Sequence, residues 1–331
     1  MENLVLDSLR NFVENGTSKC KILVVGDLML DLYYFGQVSR ISPEAPVPIN
    51  HVLSIKKTLG GAANVAHNLA LLGANTSIAG FIGDDIHGQT LIDKLISRNI
   101  DHFNLVSTTR PTTTKIRIIG GHQQMLRLDF EDSSPFDPSD SSALLQNISN
   151  IVNALDAVII SDYAKGLCTE EFCQNVIKLC RQNNVKILVD PKGSDWSKYS
   201  GANYITPNLK ELNAVLDCPI PNQDIDVENA AQLVCEKFNI DNIIVTRSDK
   251  GLTILTDDKS SHIRAKAQEV FDVSGAGDTV IAVFTLALTG GFDPHAAAYL
   301  ANLAASIVVA KVGTYAVSRD ELNAALSVLN N

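Results

Sequence analysis

The 331-residue sequence has no run of lysine or arginine longer than two, and its 27 basic side chains face 37 acidic ones, a net charge of −10. That balance excludes the clustered positive charge on which nucleic-acid and anionic-membrane binding rest. Long apolar runs are also missing: the stretch 280–288 is among the longest, well short of the roughly 18–20 residues a membrane-spanning helix needs. Residues 1–12 include Glu2 and Asp7 and lack a basic start followed by an apolar segment, so no secretion signal is read there. The cysteines Cys20, Cys168, Cys173, Cys180, Cys218 and Cys235 form no C-x-x-C pair, and no histidine stands at zinc-ligand spacing to them. They are expected to be free buried thiols of a cytoplasmic protein. The dinucleotide turn G-x-G-x-x-G is absent as well; Gly26-Asp27-Leu28 stands where it would follow the first strand, which excludes the usual nicotinamide-dependent oxidoreductase.

What is present is an ordinary globular composition, 45% hydrophobic and 19% charged, enough for a packed core and too apolar for disorder. The length allows one large domain or two modest ones. Continuous apolar runs closed by turn residues recur at 21–26, 76–81, 157–161, 186–190, 203–206 and 242–246, the pattern of strands buried on both faces. Helical periods lie between them at 62–72, 88–98, 141–155, 170–183, 210–216 and 227–238, after a short amphipathic helix in 1–19. This alternation predicts βαβ units wound into a parallel sheet. Two stretches, 32–53 and 104–129, have β-branched and aromatic residues without helical period, and contain Pro43, Pro46, Pro48 and Pro111. They predict a small antiparallel sheet beside the main one, either a lid over a site or an edge decoration. Apolar helices close the chain at 278–288 and 294–311.

The segment with most chemistry is Asp272-Val273-Ser274-Gly275-Ala276-Gly277-Asp278-Thr279. Small residues run directly into an apolar helix, whose first N–H groups point outward and favour an anion. An acid there would repel a resting phosphate, but suits a site where Asp278 takes a proton from an attacking hydroxyl while neighbouring amides hold the transferred group. The competing reading is an ordinary helix start with an acid in its first turn. Gly60-Gly61-Ala62-Ala63-Asn64 is a second glycine pair opening a helix, with Asn64 one turn in. In Thr206-Pro207-Asn208-Leu209-Lys210-Glu211, Asn208 and Glu211 lie three apart on one face. That pair suits a hydrated magnesium ion, and it is equally a capping box. Polar residues follow strand ends at Asp31, at Ser161-Asp162-Tyr163-Ala164-Lys165-Gly166 and at Asp190-Pro191-Lys192-Gly193, where ligands of open α/β sheets bind and lysines suit phosphates. Arg117 and Arg127 lie in the second β-rich stretch; charges that protect a sheet edge would read the same way.

In this order, Gly26…Asp31, Gly60-Gly61…Asn64, Asn208…Glu211, Thr246…Gly251 and Asp272…Asp278 resemble the ribokinase-like PfkB family of carbohydrate kinases, and the matches span nearly the whole chain. Val273 departs from the family's usual threonine. The segment Ser39-Arg40-Ile41-Ser42-Pro43-Glu44-Ala45-Pro46-Val47-Pro48, with Leu126-Arg127-Leu128-Asp129-Phe130 and the two lysine-bearing loops, looks like the branch acting on D-glycero-β-D-manno-heptose 7-phosphate.

The resemblance implies a ribokinase-like α/β fold: a doubly wound, mostly parallel central sheet flanked by helices, with a small antiparallel β lid from about 32–53 and 104–129. All of it would form one kinase domain over 1–331. That branch is in many organisms fused to an adenylyltransferase domain, and a chain ending at Asn331 gives the expectation of a stand-alone kinase. The implied reaction is ATP-dependent phosphorylation of the anomeric hydroxyl, giving the 1,7-bisphosphate used for ADP-heptose and lipopolysaccharide core precursors. Asp278 is the implied base, with the amides of Gly275, Ala276 and Gly277 holding the developing charge. Asn208 and Glu211 would hold Mg2+ and its waters; Thr246, Ser248, Gly251, Asn302 and Lys192 would line the nucleotide. Asp31, Gly60, Gly61 and Asn64 would hold sugar hydroxyls. A sugar that already has a phosphate needs a cationic seat, for which Lys165, Arg127 and Arg117 are the candidates. A monovalent cation is a further candidate cofactor, and the implied partner is a second copy of the chain paired through the lid. Two other readings remain: a PfkB kinase for fructose 6-phosphate, tagatose 6-phosphate or a free sugar, and a non-catalytic sensor on the same fold, which would need no base at 278.

Overall fold

The computed structural model describes residues 3–256, 259–266, 270–311 and 313–328. Among them the strands are β1 (Lys21–Gly26), β2 (Leu28–Ile41), β3 (Pro48–Gly61), β4 (Asn75–Gly83), β5 (Asp101–Thr108), β6 (Thr114–Gly120), β7 (Gln123–Phe130), β8 (Ala157–Ser161), β9 (Lys186–Asp190), β10 (Tyr204–Ile205), β11 (Asn242–Thr246), β12 (Leu252–Thr256) and β13 (Lys259–Ile263). The helices are α1 (Asn3–Asn11), α2 (Ala62–Leu71), α3 (Ile86–Ser97), α4 (Pro138–Ile151), α5 (Glu170–Gln182), α6 (Leu209–Leu216), α7 (Asp224–Phe238), α8 (Ala276–Thr289), α9 (Pro294–Val308) and α10 (Arg319–Val328).

The large sheet has nine strands in the order β13-β12-β11-β10-β9-β8-β1-β4-β5. From β11 to β5 every neighbouring pair is parallel, while β12 and β13 add an antiparallel edge. The apolar run of β1 is explained by cover on both faces. Ile22 and Val24 enter a core with Leu69 of α2, Phe284 of α8 and Leu300 of α9. Leu23 and Val25 enter the opposite core with Ile148 of α4, Phe172 of α5 and Val234 of α7. Helix α8 is buried from Asp278 to Leu288, so it is apolar all round rather than amphipathic. Strand β1 pairs with β4 on one side and β8 on the other. The winding reverses there, and the crevice at the carboxyl ends of such strands is where this architecture binds ligands.

The small sheet runs β3-β2-β6-β7. Both hairpins are antiparallel, and the seam between them, β2 with β6, is parallel. The second β-rich stretch of the sequence divides between the two sheets: its first residues, 104–108, are the end of β5 on the edge of the large sheet. A half-buried edge strand and a lid strand share the same β-branched composition, so the pattern alone does not separate them. The prolines lie outside the ladders' interiors: Pro43 and Pro46 in the β2–β3 connection, Pro48 at the first position of β3, and Pro111 between β5 and β6. None of the six cysteines forms a disulfide; Cys218 is exposed and Cys235 half-buried rather than buried. No helix among the described residues is long and apolar enough to cross a membrane.

Gly26 closes β1 against the neighbouring strand. A Cβ there would sit 2.1 Å from the Ser161 carbonyl oxygen and 3.1 Å from the Ala62 Cβ, and backbone cannot yield as a side chain can. Gly26→Ala is expected to destabilise the protein by about 2–3 kcal/mol, measured as a lowered urea midpoint with an unchanged m-value.

Candidate active site

Strand ends and two helix starts converge at the carboxyl edge of the large sheet. Asp278 lies in the first turn of α8, preceded by Gly275 in the left-handed region at φ 83°. Its carboxylate is 4% exposed and is held from two sides. Asn64 Nδ2 of α2 donates to Oδ2 at 2.7 Å, and the Tyr163 hydroxyl donates to Oδ1 at 2.5 Å. Burial, the largest influence, pushes the Asp278 carboxyl above its ordinary value; the Asn64 and Tyr163 hydrogen bonds pull it back, and the Asp31 charge adds to the rise. A carboxylate has about four lone-pair positions, so both contacts leave room to accept a third proton donor. The amide of Ala276 bonds the Val273 carbonyl at 3.2 Å, so this member of the expected anion-holding trio is engaged within the turn. The amides of Gly275 and Gly277 have no backbone acceptor among the described residues, and a Cβ at Gly277 would meet open space.

The glycine pair before α2 serves close approach. At Gly61, φ +56°, a Cβ would lie 2.5 Å from the Asp27 carbonyl oxygen; at Gly60 it would lie 2.5 Å from Asp31 Oδ2. Backbone and carboxylates can pack this tightly only where no side chain intervenes.

Asp27, directly after β1, is buried and organises the loop 163–167. Its Oδ2 accepts from the amides of Tyr163 at 2.9 Å and Lys165 at 3.0 Å, and Oδ1 from Leu167 at 3.4 Å. Burial first, then the neighbouring Asp162 charge, pushes the Asp27 carboxyl up to about 6, against the pull of those three amides. Asp162 braces the same loop, accepting from the Ala164 amide at 2.7 Å, Lys198 Nζ at 2.5 Å and the Tyr199 hydroxyl at 2.6 Å. Ala164 sits at φ 54°, a conformation that costs a non-glycine residue about 1 kcal/mol or more and persists because its surroundings fix it.

A cavity of about 190 Å3 opens from Asp278 along the carboxyl edge, past Tyr163, Asp190 and Thr206, to Asn208, Glu211, Lys192 and Thr246. Asn208 and Glu211 do form the capping box of α6. Asn208 Oδ1 accepts from the Glu211 amide and Glu211 Oε2 from the Asn208 amide, each at 3.0 Å. Glu211 Oε1 accepts from Lys192 Nζ at 2.9 Å. The cap therefore fixes both side chains at the cavity wall, and the two readings of this motif coincide in space. Asp190 and Glu211, which share this cavity, fit a hydrated divalent cation. Burial first, then the charges of Asp278 and Glu211, raise the Asp190 carboxyl well above its ordinary value, with Lys192 opposing. A cation would relieve that crowding.

The small sheet has one polar face and one largely apolar face. Register places Thr58, Asp31, Lys115 and Asp129 in one row and Lys56, Tyr33, Arg117 and Arg127 in the next, all on one face. Asp31 is buried and accepts from Arg117 at 2.5 Å. Lys165 pairs with Glu131 at 2.8 Å, and Lys115 joins the same carboxylate at 3.3 Å. Arg127 is half-exposed and bidentate to Asp129, both contacts at 2.9 Å. Of the three expected cations, Arg117 thus reaches a buried partner, Lys165 pairs with an exposed one, and Arg127 pairs at the sheet's outer strand.

Three expected nucleotide residues do not line this cavity. Ser248 is exposed at φ 55° in the turn after β11, Gly251 closes that turn at φ 83° against the Ile263 carbonyl, and Asn302 donates to the Arg264 carbonyl at 2.8 Å. Lys192 and Thr246 of that group do reach it, Thr246 beside Asn208 through an isolated bridge. Sequence reasoning missed four residues: Tyr163, Asp27, Asp190 and Lys115. The first three stood inside motifs at strand ends, the signal that would have marked them.

The model of the pfkB family of carbohydrate kinases matches residues 19–321. Bifunctional protein HldE of Methylobacillus flagellatus is 45% identical over 326 residues, which cover 97% of this chain and 66% of that protein. Bifunctional protein HldE of Shewanella piezotolerans is 45% identical over 310 residues, 93% of this chain and 64% of the relative. The chain thus spans slightly less than two thirds of the length of these relatives. Among solved structures, phosphofructokinase-2 from Escherichia coli in complex with fructose-6-phosphate superposes with a TM-score of 0.77 at 18% identity, covering 94% of this chain and 99% of that one. Ribokinase from Thermotoga maritima gives 0.72 at 20% identity, covering 93% and 99%. The fold is ribokinase-like.

The raised carboxyl of Asp27 has a consequence for stability. A group whose folded value, about 6, exceeds its ordinary value of 3.8 takes up a proton on folding between those limits, so its contribution falls as pH rises through roughly 4–6. The loss amounts to about 3 kcal/mol at 1.36 kcal/mol per unit. Urea unfolding between pH 4 and 7 is expected to show wild-type stability falling relative to Asp27→Asn by that order; parallel curves would contradict the assignment.

Proposed function

We propose that this chain, which belongs to the pfkB family of carbohydrate kinases, transfers the terminal phosphoryl group of ATP to the anomeric hydroxyl of D-glycero-β-D-manno-heptose 7-phosphate. The observation that carries the reading is Asp278: a buried carboxylate, held by two donors, at the start of α8 and at the end of a polar cavity. Phosphoryl transfer asks a protein mainly for positioning and for stabilisation of charge. Asp278 orients the attacking hydroxyl and accepts its proton. The free amides of Gly275 and Gly277 and the α8 dipole face the group in flight. Lys192, Asn208 and Thr246 lie where the rest of the triphosphate would run along the cavity.

Glu211, through its free lone pairs, with Asn208 and Asp190 beside it, would hold Mg2+ through water. When bound, the ion supplies charge neutralisation between phosphate oxygens. The sugar lies between Asp278 and the polar face of the small sheet, with Asp31 and Asn64 toward its hydroxyls. Lys165 and Arg117, joined by Lys115, seat the phosphate it already has. The heptose assignment rests on the segment 39–48 and the two lysine loops, and the 45% identity with the bifunctional HldE proteins agrees with it. The opposite face of the small sheet supports pairing with a second copy. Ile55, Tyr34, Ile118 and Leu126 share one row there, and Leu128 and Phe130 extend it. Ile55, Leu126, Leu128 and Phe130 are exposed on that face.

The test is ATP-dependent phosphorylation across heptose 7-phosphate, fructose 6-phosphate, tagatose 6-phosphate, ribose and fructose. Turnover confined to heptose 7-phosphate, reduced about 10²–10⁴-fold in Asp278→Asn with ATP still bound, is the expected result. Turnover on another sugar would keep the base and discard the heptose; ATP binding without turnover on any sugar would favour a sensor. Lys165→Ala is expected to raise the KM for the phosphosugar about tenfold or more, as loss of a charged hydrogen bond does, and to leave the KM for ATP within a factor of about two. An equal rise in both would place Lys165 at the nucleotide.

A further inference from the structure

We infer that Tyr163 is a positioning residue for phosphoryl transfer, its hydroxyl aiming the carboxylate of the base Asp278; the inference rests on the base reading of Asp278 given above. Its phenol donates to Oδ1 at 2.5 Å while Asn64 holds Oδ2 at 2.7 Å. Two donors from opposite elements, one on the loop after β8 and one on α2, leave the carboxylate a single orientation. Its remaining lone pairs face the cavity that Tyr163 also lines. Hydrogen bonds to the charged form favour that form, so Tyr163 offsets part of the rise that burial imposes on the Asp278 carboxyl. Loss of the Tyr163 proton is opposed by burial and by the charge of Asp278, so the tyrosine remains a donor while the aspartate works.

The phenol's position is itself imposed. Asp27 accepts the backbone amides of Tyr163, Lys165 and Leu167, and Asp162 holds Ala164 in its left-handed conformation through the Ala164 amide. Asp162 is in turn tied to Lys198 and Tyr199. Two buried acids therefore lock the backbone on both sides of one side chain, and that side chain touches the base. A loop that needed only to connect β8 to α5 would require neither.

Other charged groups also face Asp278: Asp31 from β2, paired with Arg117 of β6, and Asp190 at the end of β9. Glu211 and Lys192 lie farther along the same cavity. The experiment must separate Asp278 from these. The pH dependence of kcat/KM is measured for wild type, for Tyr163→Phe, and for protein with 3-fluorotyrosine at position 163, a stronger donor of the same shape. Tyr163→Phe is expected to lower kcat about tenfold to hundredfold, the worth of a hydrogen bond to a charged group, with the KM for ATP within twofold, and to move the acidic limb to higher pH. Fluorotyrosine is expected to restore kcat and move the limb to lower pH than wild type.

An unchanged limb in both variants overturns the inference, whatever happens to kcat, because loop packing alone does not move the base's titration. A limb that shifts with Phe but not with fluorotyrosine assigns it to Asp190 or Asp31 and overturns it equally. Should Tyr163→Phe fail to fold, the fluorotyrosine shift decides alone. Asp278→Asn runs as the control: wild-type turnover there removes the base reading itself, and turnover lost there with an unmoved limb at Tyr163 removes only this inference.

Discussion

A carboxylate buried at the first turn of an apolar helix is costly unless its oxygens are met by donors, and the site is built around that requirement at Asp278. Asn64 and Tyr163 meet it from α2 and from the loop after β8. Each donor then needs its own support. Asn64 stands on α2, which can start where it does because Gly60 and Gly61 let the chain pass against Asp31 and Asp27. Tyr163 stands on a loop whose amides are gathered by Asp27 and Asp162. Satisfying one buried charge thus ties together the ends of β1 and β8, the base of the small sheet and the starts of α2 and α8.

Charge is arranged unevenly about that centre. On the cavity side, Asp190, Glu211 and Asp278 outnumber Lys192, and Asp190 answers by holding its proton more tightly. On the small-sheet side, Arg117 neutralises Asp31, and Glu131 gathers Lys115 and Lys165. An anion brought with its own cation suits the first region, and a second anion that displaces Glu131 from its lysines suits the other. A substrate pair of MgATP and a phosphosugar matches both.

The parallel strands were legible because burial on both faces writes itself as an unbroken apolar run, as in Lys21–Gly26 and Ala157–Ser161. Asp278 and its glycine turn were legible because they are contiguous, from Asp272 to Thr279. What was illegible is pairing at a distance. Tyr163 and Asn64 meet Asp278 across 115 and 214 positions, and nothing in the local pattern of either says which carboxylate it serves. The same holds for Asp27, whose letters read as a turn after β1. Residues 104–108 were misread as lid because an edge strand of the large sheet and a strand of the small one have the same half-buried composition. Asn302 and Gly251 lie off the cavity, beside Arg264 and Ile263, and their motif positions alone do not say so.

The most direct measurement is a crystal structure with heptose 7-phosphate and a non-hydrolysable MgATP analogue bound together. The account predicts the anomeric hydroxyl within hydrogen-bond reach of Asp278, about 2.6–3.2 Å, with Asn64 and Tyr163 still holding its two oxygens. It also predicts the terminal phosphate against the Gly275 and Gly277 amides. A ternary complex in which the hydroxyl instead meets Asp31 or Asp190, with Asp278 turned from both ligands, would contradict it.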